Sequence, residues 1–379
     1  MSTSPAKPGP DSLRPEVQAF EPYSAGLSID EIREKYGLSQ VIKLASNENP
    51  LGVSPVVQRV IADKADTCFR YAQVGNPRLV AAIAEFLAPW NITPQHVVVG
   101  NGSDEIIDLL IRLRARPGQD NIIAFKPCFS MYTLQSKLCG VEFRQTPLNQ
   151  DFSFPWDKFL DLADENTALA FVTTPDNPSG FTPPVSELES LARALPENCI
   201  LAIDEAYMDF CADQTAHSLL PRLEEFPNVV VMRTFSKLYG LAGLRLGYGV
   251  MAPWLADYLW RIRPPFSVNI LAEEAGMAVL KDTVFVEETL RVVNQGRDFL
   301  TQSLTGMGCT VAPSQANFML FRLPPGAPEA KAVFEALLAK GVIIRPLTSY
   351  GLPDSLRLTI GTEQENRTFV RCFQEVLGG

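Results

Sequence analysis

The chain has 379 residues, 46% of them hydrophobic and 20% charged, enough for a large core and for two domains rather than one. Its 33 Lys and Arg against 43 Asp and Glu give a formal net charge of −10, which disfavours a nucleic-acid backbone or an anionic membrane as partner, so an anionic ligand needs local positive groups. Seven cysteines without a CxxC spacing and two distant histidines, His96 and His217, supply neither a disulfide framework nor a zinc site nor a histidine-dependent triad, and no metal is expected.

Residues 1 to about 20, rich in Pro and Ser, read as an N-terminal arm with no apolar leader core, and no later apolar run approaches the roughly 20 residues of a bilayer span. A cytoplasmic address is expected. From residue 41, short apolar runs (VIKLAS, HVVVG, NIIAF, VEFRQT, ALAFVTT, CILAIDEAY, NVVVMRTF) alternate with helical stretches such as DEIIDLLIRLRA and VSELESLARAL. This rhythm predicts an α/β fold with a mainly parallel sheet covered on both faces. The prolines of RPPFSVN, 263 to 269, interrupt the pattern, and a long helical stretch follows over roughly 270 to 305. GCTVAPSQANFMLFRL, GVIIRPLT and SLRLTIGT then predict strands of a smaller α+β unit. The expected division is an arm over 1–40, a large domain over 41–265 and a small domain over 266–379 that opens on a long interdomain helix.

In an open parallel sheet, ligands bind beyond the carboxyl ends of the strands. Four such ends are unusual. VVVGNGSDEIIDLLIRL, 97 to 113, carries two glycines and a serine into a helix, either as a helix cap or as an anion site at the amides of Gly102, Ser103 and Asp104. It is not GxGxxG, because Glu105 stands where the third glycine belongs. ALAFVTTPDNPSGF, 168 to 181, leaves Asn177 projecting from a proline-rich turn, as an ordinary turn residue or as a ligand donor. CILAIDEAYMDF, 199 to 210, ends an apolar run on Asp204, whose buried carboxylate needs either a structural ion pair or a cationic ligand. Alternation turns Glu205 to the opposite side, and Tyr207 could bond a ligand or pack. RTFSKLYGLAGLRLGY, 233 to 248, sets Lys237 among small and apolar residues near Arg245. Its amine either snorkels to water or, with its pKa lowered by desolvation and like charge, becomes a nucleophile toward a carbonyl.

In this order and spacing, GSDE, PDNPSG, DEAYMDF and RTFSKLYGLAGLRLGY resemble the fold-type I pyridoxal-phosphate aminotransferases over about residues 20 to 375. Within that superfamily, IKLASNENPLG at 42 to 52, SQANFMLF at 314 to 321 and SLRLTIGT at 355 to 362 resemble the histidinol-phosphate aminotransferase branch. The resemblance implies pyridoxal 5'-phosphate as cofactor and a homodimer. Lys237 is then the point of covalent attachment and the base that moves the substrate proton, and Asp204 holds the pyridine nitrogen protonated. Asn177 and Tyr207 match donors to the ring's 3'-oxygen. Ser103, Asp104, Thr234, Ser236 and Arg245 match the phosphate cradle. Phe129 falls where an aromatic ring stacks on the pyridine, with Tyr132 as the alternative stacker or core packing as the plainer role. Tyr71 matches a tyrosine that reaches the neighbouring subunit's cofactor phosphate. Arg357 matches the grip on a substrate carboxylate or phosphate, and Arg345 and Tyr23 match further ligands of a substrate phosphate.

The implied reaction is transamination of L-histidinol phosphate with 2-oxoglutarate, giving imidazole acetol phosphate and glutamate in histidine biosynthesis. Three alternatives stand beside it: an aromatic amino-acid aminotransferase, a threonine-phosphate decarboxylase, and a pyridoxal-phosphate-binding regulatory protein without turnover. Against the last, no helix-turn-helix segment is seen and the net charge is wrong for DNA.

Overall fold

Period-two alternation in the apolar runs decides the architecture. A computed structural model of the chain describes residues 9–18, 20 and 28–378. Its strands are β1 (Ile42–Lys43), β2 (Val97–Gly100), β3 (Asn121–Lys126), β4 (Glu142–Pro147), β5 (Thr167–Thr173), β6 (Ile200–Asp204), β7 (Val229–Thr234), β8 (Gly247–Met251), β9 (Thr310–Val311), β10 (Phe318–Arg322), β11 (Val342–Ile343), β12 (Arg345–Pro346) and β13 (Ser355–Thr359). Seven form one sheet in the order β2-β8-β7-β6-β5-β3-β4, where only β8 runs antiparallel to its neighbours.

Successive side chains of these strands enter opposite cores. Val97, Val99, Ile123, Leu201, Ile203, Val229 and Val231 join one cluster, which also takes Leu79 and Leu188 from helices. Val98, Ile122, Ala124, Ile200, Ala202, Val230 and Met232 join the other, with Ile106, Leu110, Leu255 and Leu259 from helices on that face. A sheet covered on both sides needs apolar residues at every position, which is why the runs are continuous rather than alternating polar and apolar. At roughly 1.5–3 kcal/mol for each fully buried Val, Leu or Ile, this interior is a principal source of stability. The chain therefore has the α/β fold with a mainly parallel, helix-flanked sheet.

Strand β8 is the element that the sequence pattern hides, because Gly247 and Gly249 read as loop. The strand needs Gly247 for a different reason. A Cβ there would lie 2.3 Å from the Ser103 amide nitrogen and 2.7 Å from the Gly102 carbonyl carbon, so only glycine lets β8 pass this close to the turn after β2.

The C-terminal strands form an antiparallel sheet, β12-β13-β10-β9, and β1 pairs in parallel with β11. The helix Ile29–Tyr36, closed by a Ser28/Glu31 capping box, buries Ile32 against Leu338 and Ile343. Thus β1, expected at the start of the large domain, packs with C-terminal elements: alternation identifies a strand but not its partner. The run expected as one long helix over 270–305 is two helices, Ile270–Val279 and Thr283–Gly306. Asp282 separates them, accepting the Phe285 amide as the cap of the second. Among the described residues no helix is long and apolar enough to cross a membrane, and no His, Cys, Asp and Glu group could hold a metal.

Candidate active site

Five strand ends, not four, meet at one place. The turn after β2, Phe129 after β3, Asn177 after β5, Asp204 at the end of β6 and the segment 234–237 after β7 line an inner cavity of about 250 Å³. A wider cavity of about 790 Å³ opens above it, sharing Phe129, Asn177, Tyr207 and Lys237 and adding Arg345 and Arg357.

Part of the lining of the inner cavity consists of groups that could hold an anion. Ser103 and Asp104 open the helix Ser103–Arg114, whose first amides have no intrahelical acceptor. Gly102 before them has φ +79°, and a Cβ on it would sit 2.5 Å from Nη2 of Arg245, so the arginine lies directly against the turn. Arg245 Nη2 pairs with Asp104 Oδ2 at 3.0 Å, and both side chains remain part-exposed. Thr234 Oγ1 accepts the Ser236 amide at 3.1 Å, which shapes the turn that sets Thr234 and Ser236 in the lining of the cavity.

The same cavity is lined by Asp204, buried to 4% exposure. Its Oδ2 accepts the Tyr132 hydroxyl at 2.7 Å and its Oδ1 the Ala206 amide at 3.1 Å. Among the described residues it has no ion-pair partner, and burial pushes its carboxyl up to about 6. Tyr132 is fully buried under the site and stacked on Phe171 at 4.5 Å. It is therefore Phe129, not Tyr132, whose ring reaches both cavities.

Strand alternation turns the neighbours of the site residues away from it. Glu205 and Arg233 face the opposite side, where Arg233 Nη2 lies 2.7 Å from Glu205 Oε2 and Nη1 lies 3.0 Å from Asp209 Oδ1, all three essentially dry. This pair ties β6 to β7 behind Asp204 and Thr234. Removing the cation leaves two buried carboxylates without their partner, so Arg233→Met is expected to lower stability by about 3–5 kcal/mol. Urea unfolding checks this, and a loss under about 1 kcal/mol would show that the cluster does not brace the strands.

Lys237, which lines the same cavity, donates from Nζ to the Ser46 carbonyl at 3.1 Å and stands 5.7 Å from the Tyr207 ring centroid. Loss of water around the amine, with Arg357 second, pushes its pKa down to about 8 from the ordinary 10.5. A neutral amine is the reactive form, so acylation of Lys237 by a small amine reagent should rise with pH and level off above about 8. Peptide mapping across a pH series reads this, and a midpoint near 10.5 would place the amine in water instead.

Asn177 is positioned by its neighbour Asp176, whose Oδ2 accepts the Ser179 hydroxyl at 2.5 Å and amide at 3.1 Å, folding the PDNPSG turn. Arg357 Nη1 donates to Asn177 Oδ1 at 2.5 Å and Nη2 to the Ala45 carbonyl at 2.8 Å, so the Asn177 amide nitrogen is the end available to the cavity. Tyr207 is buried, with its hydroxyl oxygen accepting from Asn47 Nδ2 at 3.0 Å. Arg345 lines the mouth of the wider cavity beside Thr348 and Tyr350. Tyr71 lies outside both cavities, 80% exposed, its ring stacked on Phe266 at 4.5 Å. Tyr23 falls outside the described residues.

The model of the class I and II aminotransferase family matches residues 39–373. The chain belongs to that family. It is 63% identical over 375 residues, 99% of each chain, to the histidinol-phosphate aminotransferase of Nitratidesulfovibrio vulgaris. To the enzyme of the same name from Oleidesulfovibrio alaskensis it is 62% identical, over 97% of this chain and 96% of that one. Among solved structures it resembles the histidinol-phosphate aminotransferase from Sinorhizobium meliloti in complex with pyridoxal 5'-phosphate, with a TM-score of 0.86, 25% identity and 97% of both chains covered.

For this aminotransferase, sequence reasoning passed over Asn47 and Asp176, and it offered Tyr132 as a stacker rather than as the donor to Asp204. Each acts on a residue distant in sequence or hidden in a turn. The one available signal was residue type, an amide in NENP, a tyrosine in CFSMY and an acid in PDNPSG, and none of these announces its partner.

Proposed function

We propose that this aminotransferase uses pyridoxal 5'-phosphate to transaminate L-histidinol phosphate with 2-oxoglutarate, giving imidazole acetol phosphate and glutamate in histidine biosynthesis. The observation that carries the cofactor chemistry is Asp204, a buried carboxylate raised to about 6 that lines one cavity together with Ser103, Thr234, Ser236 and Arg245, groups suited to an anion. A group with a phosphate at one end and a cationic ring nitrogen at the other fits both, since the cation would restore the charge that burial suppresses. The substrate rests on the relatives above, which bear the name of this activity at 62–63% identity over nearly the whole chain.

In this reading the Ser103 and Asp104 amides, Thr234, Ser236 and Arg245 hold the cofactor phosphate, Phe129 covers the ring, and Asp204 keeps its nitrogen protonated. Asn177 and Tyr207 donate to the ring oxygen. Bound there, the cofactor supplies an electron sink for negative charge at the substrate α-carbon. Lys237 would hold the cofactor, and its amine would take the proton from that carbon. With its pKa lowered to about 8, more of this amine is neutral near pH 7 than of a water-exposed lysine, which suits it better to act as a base. Arg357 grips the carboxylate of 2-oxoglutarate, and Arg345 and Tyr23 bind the phosphate of the other substrate in the same wide cavity. One pocket serves both because an arginine fork matches carboxylate and phosphate alike.

We further propose a cytoplasmic homodimer in which Tyr71 reaches the partner's cofactor phosphate. Its support is the exposure of Tyr71 and of Phe69 nearby, 80% and 79%, which a monomer would leave in water. The deciding assay compares L-histidinol phosphate, phenylalanine and threonine phosphate. Histidinol phosphate should exceed phenylalanine in kcat/KM by at least about a hundredfold. Faster turnover of phenylalanine, or release of carbon dioxide from threonine phosphate, would replace this substrate assignment.

A further inference from the structure

A phenol can donate or accept a hydrogen bond, and nothing in Tyr207 itself decides which it presents to a ligand. Asn47 decides it. This residue is 1% exposed and has φ +55°, a left-handed conformation that asparagine, aspartate and glycine tolerate. Its backbone N–H donates to Thr359 Oγ1 at 2.9 Å, and the Asn317 side chain donates to its carbonyl at 3.1 Å. The Thr359 hydroxyl in turn donates its one proton to Asn47 Oδ1, also at 2.9 Å. The carboxamide is thereby oriented: its oxygen faces Thr359, and its Nδ2 faces Tyr207, donating to the phenol oxygen at 3.0 Å. Because Asn47 presents a donor, the single Tyr207 proton cannot be spent on it, and the phenol lines both cavities.

We infer that Asn47 is a positioning residue that aims the Tyr207 hydroxyl proton into the cavity, as a donor to the ring oxygen of the cofactor. The inference rests on the proposed function. It accounts for the residue type, since the left-handed backbone admits Asn, Asp and Gly, while only Asn can accept from Thr359 and donate to Tyr207 at once. It also links the donor to the C-terminal unit. Thr359 ends β13, two residues beyond Arg357, and Asn317 precedes β10, so the aim of Tyr207 depends on that sheet being docked.

The test is a mutant cycle read by absorbance rather than by turnover. A donor to a negatively charged ring oxygen makes that oxygen a weaker base, so it lowers the pH midpoint of the visible band of the cofactor-loaded protein. Tyr207→Phe should raise the midpoint by about one pH unit, the scale of one charge-assisted hydrogen bond. Asn47→Gly keeps the backbone conformation, removes both side-chain bonds, and should raise the midpoint in the same direction by less. Asn47→Gly added to Tyr207→Phe should then raise it no further. An unmoved midpoint in Asn47→Gly, or an equal shift with and without the Tyr207 hydroxyl, would overturn the inference. Thermal melting confirms that each variant is folded. Should the glycine variant not fold, Asn47→Asp takes its place in the same cycle, where the part of its shift that vanishes without the hydroxyl is the measure. A wild-type protein that takes up no pyridoxal phosphate would instead overturn the proposed function itself.

Discussion

Lys237→Ala is expected to cut transamination by a thousandfold or more, about the upper part of what a positioned general base contributes, with further loss from the missing covalent anchor. The fold should survive. Lys237 makes one hydrogen bond, to the Ser46 carbonyl, and its amine is held in surroundings that disfavour its charge, so its removal costs little native stability. The variant should still bind cofactor through the cradle of Ser103, Asp104 and Arg245. A single-turnover assay with L-histidinol phosphate reads the loss, and circular dichroism confirms the fold. Turnover near that of the wild type would show that another group moves the proton. Borohydride reduction of the loaded wild-type protein followed by peptide mapping should place the label on residue 237 and nowhere else.

Asp204→Asn should lower activity on the order of a hundredfold to a thousandfold, the cost of removing one aligned charge from a dry site. It should also weaken cofactor binding. The same variant should stabilise the cofactor-free protein at neutral pH. Asp204 has a folded-state value near 6 against an ordinary 3.8, so the native chain binds this proton more tightly than the unfolded chain does. Its contribution is therefore most favourable below about 4 and declines as pH rises through about 6, leaving a cost of about 1–3 kcal/mol at pH 7. Asparagine keeps the oxygen that Tyr132 bonds and removes that cost, less the bond to the Ala206 amide, which its Nδ2 cannot accept. Denaturant unfolding at pH 7 should show the gain, and at pH 4 the gain should shrink. Unchanged kinetics would remove Asp204 from the chemistry, and a stability difference between variant and wild type that is the same at pH 4 and pH 7 would show that its charge is already neutralised.

The opposed signs of these two effects explain why a carboxylate can be recognised at the end of an apolar run. A residue that costs stability in the free protein stands out against strand alternation, as Asp204 does after CILAI, and Lys237 stands out in the same way among glycines and leucines. Both were legible because the anomaly is local. Asn47, Asp176 and the bond from Tyr132 to Asp204 were not, because an asparagine before a turn, a tyrosine in a helix and an aspartate between prolines are ordinary where they stand. Their importance lies in Tyr207, Asp204 and Ser179, partners that the fold or a tight turn brings within 2.5–3.0 Å. Strand β8 was obscured by the reverse effect, since the glycines that make it fit against Ser103 are the residues that argue against a strand.

The amino-acid order alone determined the parallel sheet, its two covered faces and the loops at which charged groups would gather, because side-chain alternation and hydrophobic burial act over a few neighbouring residues. The folded arrangement alone decided that β1 joins β11, that Phe129 and not Tyr132 covers the cavity, and which way each hydrogen-bonding group points. Those outcomes depend on distances between segments up to 312 residues apart, as between Asn47 and Thr359. A hydrogen bond weakens within a fraction of an ångström, so no rule of local sequence can anticipate it.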